Sequence, residues 1–110
     1  MAAKFYPAKK LWNEKYKGIY GIFDSETGNA LYIGSSRAIN RRVDRHRSNI
    51  KNLKYAEQWH PGQLDLYKSL SKHSGVFFQI IDECEKNVMK QLEKFYIKVY
   101  KPKYNINNCD

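Results

Sequence analysis

Cysteine is scarce in this chain. Cys84 and Cys109 are too few for a disulfide framework and lack the paired spacing of a zinc site. Cys84 follows a strand-like run and reads as half-buried packing, whereas Cys109 sits in a polar tail. Carboxylates are also in short supply, with 11 Asp and Glu against 20 Lys and Arg and a formal charge of +9. That imbalance points to a polyanionic partner, with nucleic acid ahead of an anionic membrane surface. No long, low-charge apolar segment and no signal-peptide pattern occur, so a soluble, intracellular (cytoplasmic) protein is expected. Repeats and low-complexity stretches are missing too. What remains is 110 residues, 42% hydrophobic and 15% aromatic, which supports one globular core and is too short for two.

Two triplets organise the rest, Gly18-Ile19-Tyr20 and Tyr32-Ile33-Gly34. Each borders a β-favouring run, residues 17–23 and 30–34, and Asp24-Ser25-Glu26-Thr27-Gly28-Asn29 between them is turn chemistry. The pattern predicts an antiparallel hairpin. With the loop centred on Glu26, Tyr20 falls directly across from Tyr32 and two phenols share one patch. Gly18 and Gly34 beside them leave room for something bulky near the backbone.

Residues 1–16 interleave Lys4, Lys9, Lys10 and Lys15 with Phe5, Tyr6, Trp12 and Tyr16. Such a segment either grips nucleic acid or covers a core edge, and the sequence does not choose between them. After the hairpin, a hydroxyl or Asn40 within residues 35–40 is expected to cap a helix running to about Leu53. Ile39, Val43, Ile50 and Leu53 form its apolar stripe, with His46 inside and Arg42 at the edge. Arg37, Arg41 and Arg45 make a cationic ridge on the other side, suited to DNA phosphates. Residues 51–63 carry Tyr55, Trp59, His60 and the turn Pro61-Gly62, and are hard to read further. A short helix over 64–72 follows. Residues 76–81, apolar on both faces, predict a central or covered third strand. A last helix over 85–100 is expected to bury Val88, Leu92, Phe95, Tyr96 and Val99, before Lys101-Pro102 ends it and an extended tail runs over 104–108.

The triplets resemble the signature of the GIY-YIG nuclease family, and the likeness runs from Gly18 to Asn108. It is nearest to the catalytic domain of phage and intron homing endonucleases. That family carries an Arg and a His on the helix after the second triplet, where Arg42 and His46 stand. Its late Glu-x-x-aromatic-Ile pattern is matched by Glu93-Lys94-Phe95-Tyr96-Ile97, and its Tyr-Asn-Ile by Tyr104-Asn105-Ile106. His60 matches a mid-domain His more weakly.

The resemblance implies an α+β fold of the α/β class, a three-stranded antiparallel sheet flanked by helices. Residues 18–108 would be the nuclease domain, preceded by a basic, aromatic extension over 1–17. It implies a metal-dependent endonuclease with one Mg²⁺ or Mn²⁺ on Glu93 and the Arg42 guanidinium on the scissile phosphate. Tyr20 would be the base, although ionising a free phenol of pKa near ~10 at neutral pH costs about 4 kcal/mol. Tyr32 and His46 would relay protons or orient water and phosphate, with Asn105, His60 and Gly34 in support. Arg37, Arg41, Arg45, Arg47, Lys9 and Lys10 would hold DNA, duplex before single-stranded, with RNA open. One site cuts one strand per event, so double-strand cleavage takes two events or a transient homodimer. The homing members' separate recognition region has no counterpart in these residues, so relaxed or structure-dependent nicking is expected unless the chain is a catalytic fragment or a partner supplies targeting, and the resemblance leans toward a phage or mobile-element protein. The alternative is an inactive nucleic-acid-binding adaptor with the same fold.

Overall fold

Every residue of Gly18–Asp24 is buried, and this strand, β1, is the middle of the sheet. The computed structural model describes residues 16–105. Strand β2 (Ala30–Ser36) and strand β3 (Val76–Glu83) flank β1, both antiparallel to it. The apolar run of β3 therefore marks a covered edge strand, and the central place belongs to β1. The segment with Lys9 and Lys10 and the tail beyond Asn105 lie outside the described residues.

The hairpin forms, but Tyr20 pairs with Gly34 and Tyr32 with Ile22. The turn is displaced from the expected centre, and the register shifts again between Ile22 and Phe23. Asp24 causes the displacement: its Oδ1 accepts from the backbone N–H of Glu26 and Thr27, and its carbonyl accepts from Gly28 N. The two phenols are consequently diagonal neighbours on one face rather than direct opposites.

Helices α1 (Ile39–Lys51), α2 (Leu53–Trp59) and α3 (Leu64–Leu70) lie on the face that carries Tyr20 and Ile22. Ile39, Val43 and Ile50 of α1, Ala56 of α2 and Tyr67 and Leu70 of α3 pack there. No side chain caps α1, although Ser36 Oγ accepts from Ala38 N just before it. The helix stops at Lys51 because Asn52 leaves it to cap α2, accepting from Tyr55 N. Residues 51–63 thus resolve into α2 and a 3-10 turn, Pro61–Gln63.

Helix α4 (Lys86–Tyr100) covers the other face, where Met89 and Ile97 meet Ile19 and Ile33. Its buried row is Met89, Glu93 and Ile97, one residue round from the expected stripe. Leu92 and Tyr96 are half-buried, and Val88, Phe95 and Val99 are exposed. Met89 and Ile97 seat that row on the sheet, and the hydrogen bond from Ser35 satisfies the carboxylate that the same row turns inward. Lys101, at φ 48°, ends the helix. The chain then returns beside β2: Lys103 N donates to Ala30 O and Tyr104 N to Leu31 O. Asn105 takes the next place with its side chain, accepting from Ile33 N at 2.6 Å and donating to Ile33 O at 2.7 Å. A strand edge that would otherwise be open is closed. Among the described residues no helix is long and apolar enough to cross a membrane.

Candidate active site

Gly34 makes the site possible. It lies opposite Tyr20, and a Cβ at residue 34 would stand 2.6 Å from Tyr20 Oη. Without that Cβ the Tyr20 ring can cross β2, with its centroid 6.4 Å from that of Tyr32. The bulky group approaching this backbone is thus the chain's own phenol.

His46 comes from the buried stripe of α1, where helical spacing puts it below Val43 and above Ile50. Its Nε2 lies 2.6 Å from Tyr20 Oη and its Nδ1 2.7 Å from Tyr67 Oη. Burial, seconded by the charges of Arg42, Arg45 and His60, pushes its pKa down to about 3. The ring is therefore neutral near pH 7, with one N–H and one lone pair. Tyr67 Oη donates its hydrogen to Gln63 Oε1 at 3.1 Å. Tyr67 must then accept from His46 Nδ1–H, which leaves the Nε2 lone pair for the Tyr20 hydroxyl. The polar chain has a direction.

Burial raises the Tyr20 pKa well above that of a free phenol, and Tyr32, Tyr67 and Glu93 push the same way while Arg42 opposes. Tyr32 is raised by burial and then by Glu93, again against Arg42. Both phenols thus stand within electrostatic reach of one guanidinium and one carboxylate. Glu93 is 7% exposed, and its Oε1 accepts from Ser35 Oγ at 2.6 Å with Lys90 Nζ 3.6 Å away. Ser35 directly follows Gly34, so the site wraps the rim of β2. Phenols and imidazole reach it from one face of the sheet and the carboxylate from the other.

Among the described residues there is no group of three or more His, Cys, Asp or Glu that could hold a metal ion. A lone, oriented carboxylate does not suit Zn²⁺, which takes three or four protein ligands. It does suit Mg²⁺, which keeps several waters and needs one or two carboxylates beside a phosphate. Glu93 fits that description.

Arg37, Arg41 and Arg45 are exposed, and Arg42 and Arg47 are half-buried. His60, half-buried, follows the last residue of α2. Asn105 acts on the backbone of Ile33, between Tyr32 and Gly34, and so braces the second triplet. Sequence reasoning missed Ser35 and Tyr67. Ser35 had adjacency to Gly34 as its signal. Tyr67 had only its spacing of three from Leu64 and Leu70, which marks burial, while its partner His46 is 21 residues away.

The model of the GIY-YIG catalytic domain family matches residues 16–105. UvrABC system protein C of Caldanaerobacter subterraneus subsp. tengcongensis is 34% identical over 97 residues, which cover 88% of this chain and 14% of that protein. The chain thus spans about one seventh of that relative. Among solved structures, the catalytic domain of the homing endonuclease I-TevI superposes with a TM-score of 0.62 at 26% identity, covering 81% of this chain and 92% of that one. The GIY-YIG N-terminal endonuclease domain of UvrC from Thermotoga maritima, bound to magnesium, shares the fold at a TM-score of 0.51 and 17% identity, over 91% of this chain and all (100%) of that one. With both triplets on one hairpin, and His46 and Glu93 brought to its rim, the chain belongs to the GIY-YIG family and is a nuclease domain of that family.

Proposed function

We propose that this domain hydrolyses DNA phosphodiester bonds, one strand per event, with Mg²⁺ or Mn²⁺ held at Glu93. The buried 2.6 Å contact between Tyr20 and His46 carries the reading, because it gives a hydroxyl at the rim of β2 an outlet for its proton. Cleavage needs a deprotonated water, neutralisation of a crowded anionic phosphate and support for the leaving oxygen. The cation, when bound, supplies Lewis acidity toward the phosphate and its attacking water.

The chain's own side chains do the rest. Arg42 offers its fork to the scissile phosphate. Tyr20 takes the proton of the attacking water on its oxygen as its own hydrogen passes to His46 Nε2, so no free phenolate has to form. His46 is kept a weak base by burial first and by the charges of Arg42 and Arg45 after it. A bound phosphate offsets those charges and raises its basicity where it is used. Tyr32 orients the phosphate, Ser35 aims Glu93, and Asn105 and Gly34 hold the strand that carries them. His60 stands in support at the end of α2. Arg37, Arg41, Arg45 and Arg47 take neighbouring phosphates, so affinity falls with salt by about 0.9 log units per log unit for each duplex phosphate neutralised. The likeness to a homing endonuclease supports a phage or mobile-element source, acting where the DNA is.

Supercoiled plasmid with Mg²⁺ tests this. Nicked circles are expected to precede linear product, and EDTA, Glu93→Gln or Arg42→Ala to abolish both. Binding without cleavage by the native chain, across duplex and branched substrates, would leave the adaptor reading in its place.

A further inference from the structure

Helix α2 turns aromatic rings toward solvent. Tyr55 is 45% and Trp59 60% exposed, one helical turn apart, with ring centroids at 6.4 Å. The ring of His60 is 6.2 Å from that of Tyr55. None of this serves to seat the helix, which Ala56 and Leu53 already do from its inner side. The flanking Lys51 and Lys54 are exposed cations, Arg45, six residues before Lys51 on α1, is exposed too, and Glu57 is the one exposed carboxylate on α2. Helix α2 packs on α1, the helix that bears Arg42 and His46, and the charge of His60 at the end of α2 is felt at His46.

We propose that an unpaired nucleobase of the cut strand stacks on Trp59, the more exposed ring, with Tyr55, tilted by 48° to it, against the edge of the base, so that the preferred substrate has an unpaired nucleotide beside the scissile phosphate. This rests on the nuclease reading and adds the substrate class to it. Base stacking on aromatic rings is indifferent to sequence, but it requires an open base face. In an intact duplex neighbouring pairs cover both faces of each base. Lys51, Lys54 and Arg45 then meet the phosphates of the same strand.

The chain has two tryptophans, Trp12 and Trp59, so Trp12→Phe leaves Trp59 as the sole indole. In EDTA, where no cut is made, this protein is titrated with a blunt duplex long enough that its two open end faces are a small share of its sites, and with the same duplex carrying a three-nucleotide gap. The gapped DNA is expected to quench Trp59 fluorescence and the blunt duplex is not. Adding Tyr55→Ala and Trp59→Leu is expected to weaken binding to gapped DNA about tenfold, read by anisotropy, and binding to blunt DNA by less than twofold. Trp59→Phe, which keeps a ring, should retain most of the preference and guards against a folding artefact. Equal quenching by both DNAs, or an equal loss on both, overturns the proposal; absence of quenching by either overturns it too and leaves the patch to a protein partner. Since nothing is cleaved, failure here and failure of plasmid nicking in Mg²⁺ are separate results.

Discussion

His46 Nε2 and Tyr20 Oη stand 2.6 Å apart where both residues are all but closed to water. The contact has a polarity set elsewhere. Gln63 takes the hydrogen of Tyr67, Tyr67 takes that of His46 Nδ1, and the remaining lone pair faces Tyr20. A histidine that helical periodicity marks as core packing thereby becomes the hydrogen-bond acceptor of the first tyrosine of the hairpin.

Tyr67→Phe removes the acceptor of His46 Nδ1–H and frees the ring to change tautomer. Leaving that donor buried and unpaired is expected to cost about 1–3 kcal/mol of stability. The nicking rate should fall at least tenfold at saturating DNA, with the DNA affinity unchanged. Urea unfolding and single-turnover nicking read the two effects, and a Tyr67→Phe variant as fast as the native enzyme contradicts the relay.

The pH dependence of stability follows from His46. Its folded pKa of about 3 lies below the ordinary histidine value of 6.5. Between those values the unfolded chain binds the extra proton. Stability from this group is therefore complete above about pH 6.5 and is lost as pH falls toward 3, a change on the order of 5 kcal/mol. His46→Gln should flatten the slope of unfolding free energy between pH 6.5 and 4. An unchanged slope in the variant would place the titration on another residue.

Gly34→Ala drives a methyl group against Tyr20 Oη and Cζ, at 2.6 and 2.7 Å. The ring can yield only by leaving His46. Overpacking of this kind costs about 1–3 kcal/mol. Activity should drop further than stability does, so that nicking is lost at temperatures where circular dichroism still reports a folded domain.

Ser35→Ala deletes the hydroxyl that donates to Glu93 Oε1. The carboxylate keeps its charge and loses its aim. Groups that orient a metal ligand typically account for about 10–100-fold in metal affinity or activity. The Mg²⁺ concentration for half-maximal nicking is expected to rise by about tenfold, whereas Ser35→Thr restores it. A Mg²⁺ titration identical to that of the native protein rules out this role for Ser35.

The exposed stripe on α4 shows where reading by periodicity stops. Val88, Phe95 and Val99 have the spacing of a buried face, yet the buried row is Met89, Glu93 and Ile97. Met89 and Ile97 pack on Ile19 and Ile33 in that row, and Glu93 between them is held by the long-range hydrogen bond from Ser35, a partner that spacing along the helix does not reveal. The hairpin register has a similar history. Turn composition announces the loop, but the side chain of Asp24, hydrogen-bonded to Glu26 and Thr27, moves its centre and sets Gly34 rather than Tyr32 opposite Tyr20.

The local order of side chains along the chain was enough to announce the strands, most of the helices and the two triplets, because periodicity and turn chemistry are properties of neighbours; Arg42, His46, Glu93 and Asn105 were singled out by the resemblance to the GIY-YIG family. Tertiary structure alone decided which atoms face each other. Tyr67 and Gln63 lie 21 and 17 residues beyond His46, Ser35 lies 58 before Glu93, and Asn105 lies 72 beyond Ile33. The direction of a proton path and the aim of a carboxylate depend on distances of tenths of an ångström between such residues, and the packing of two helical layers on one small sheet sets those distances.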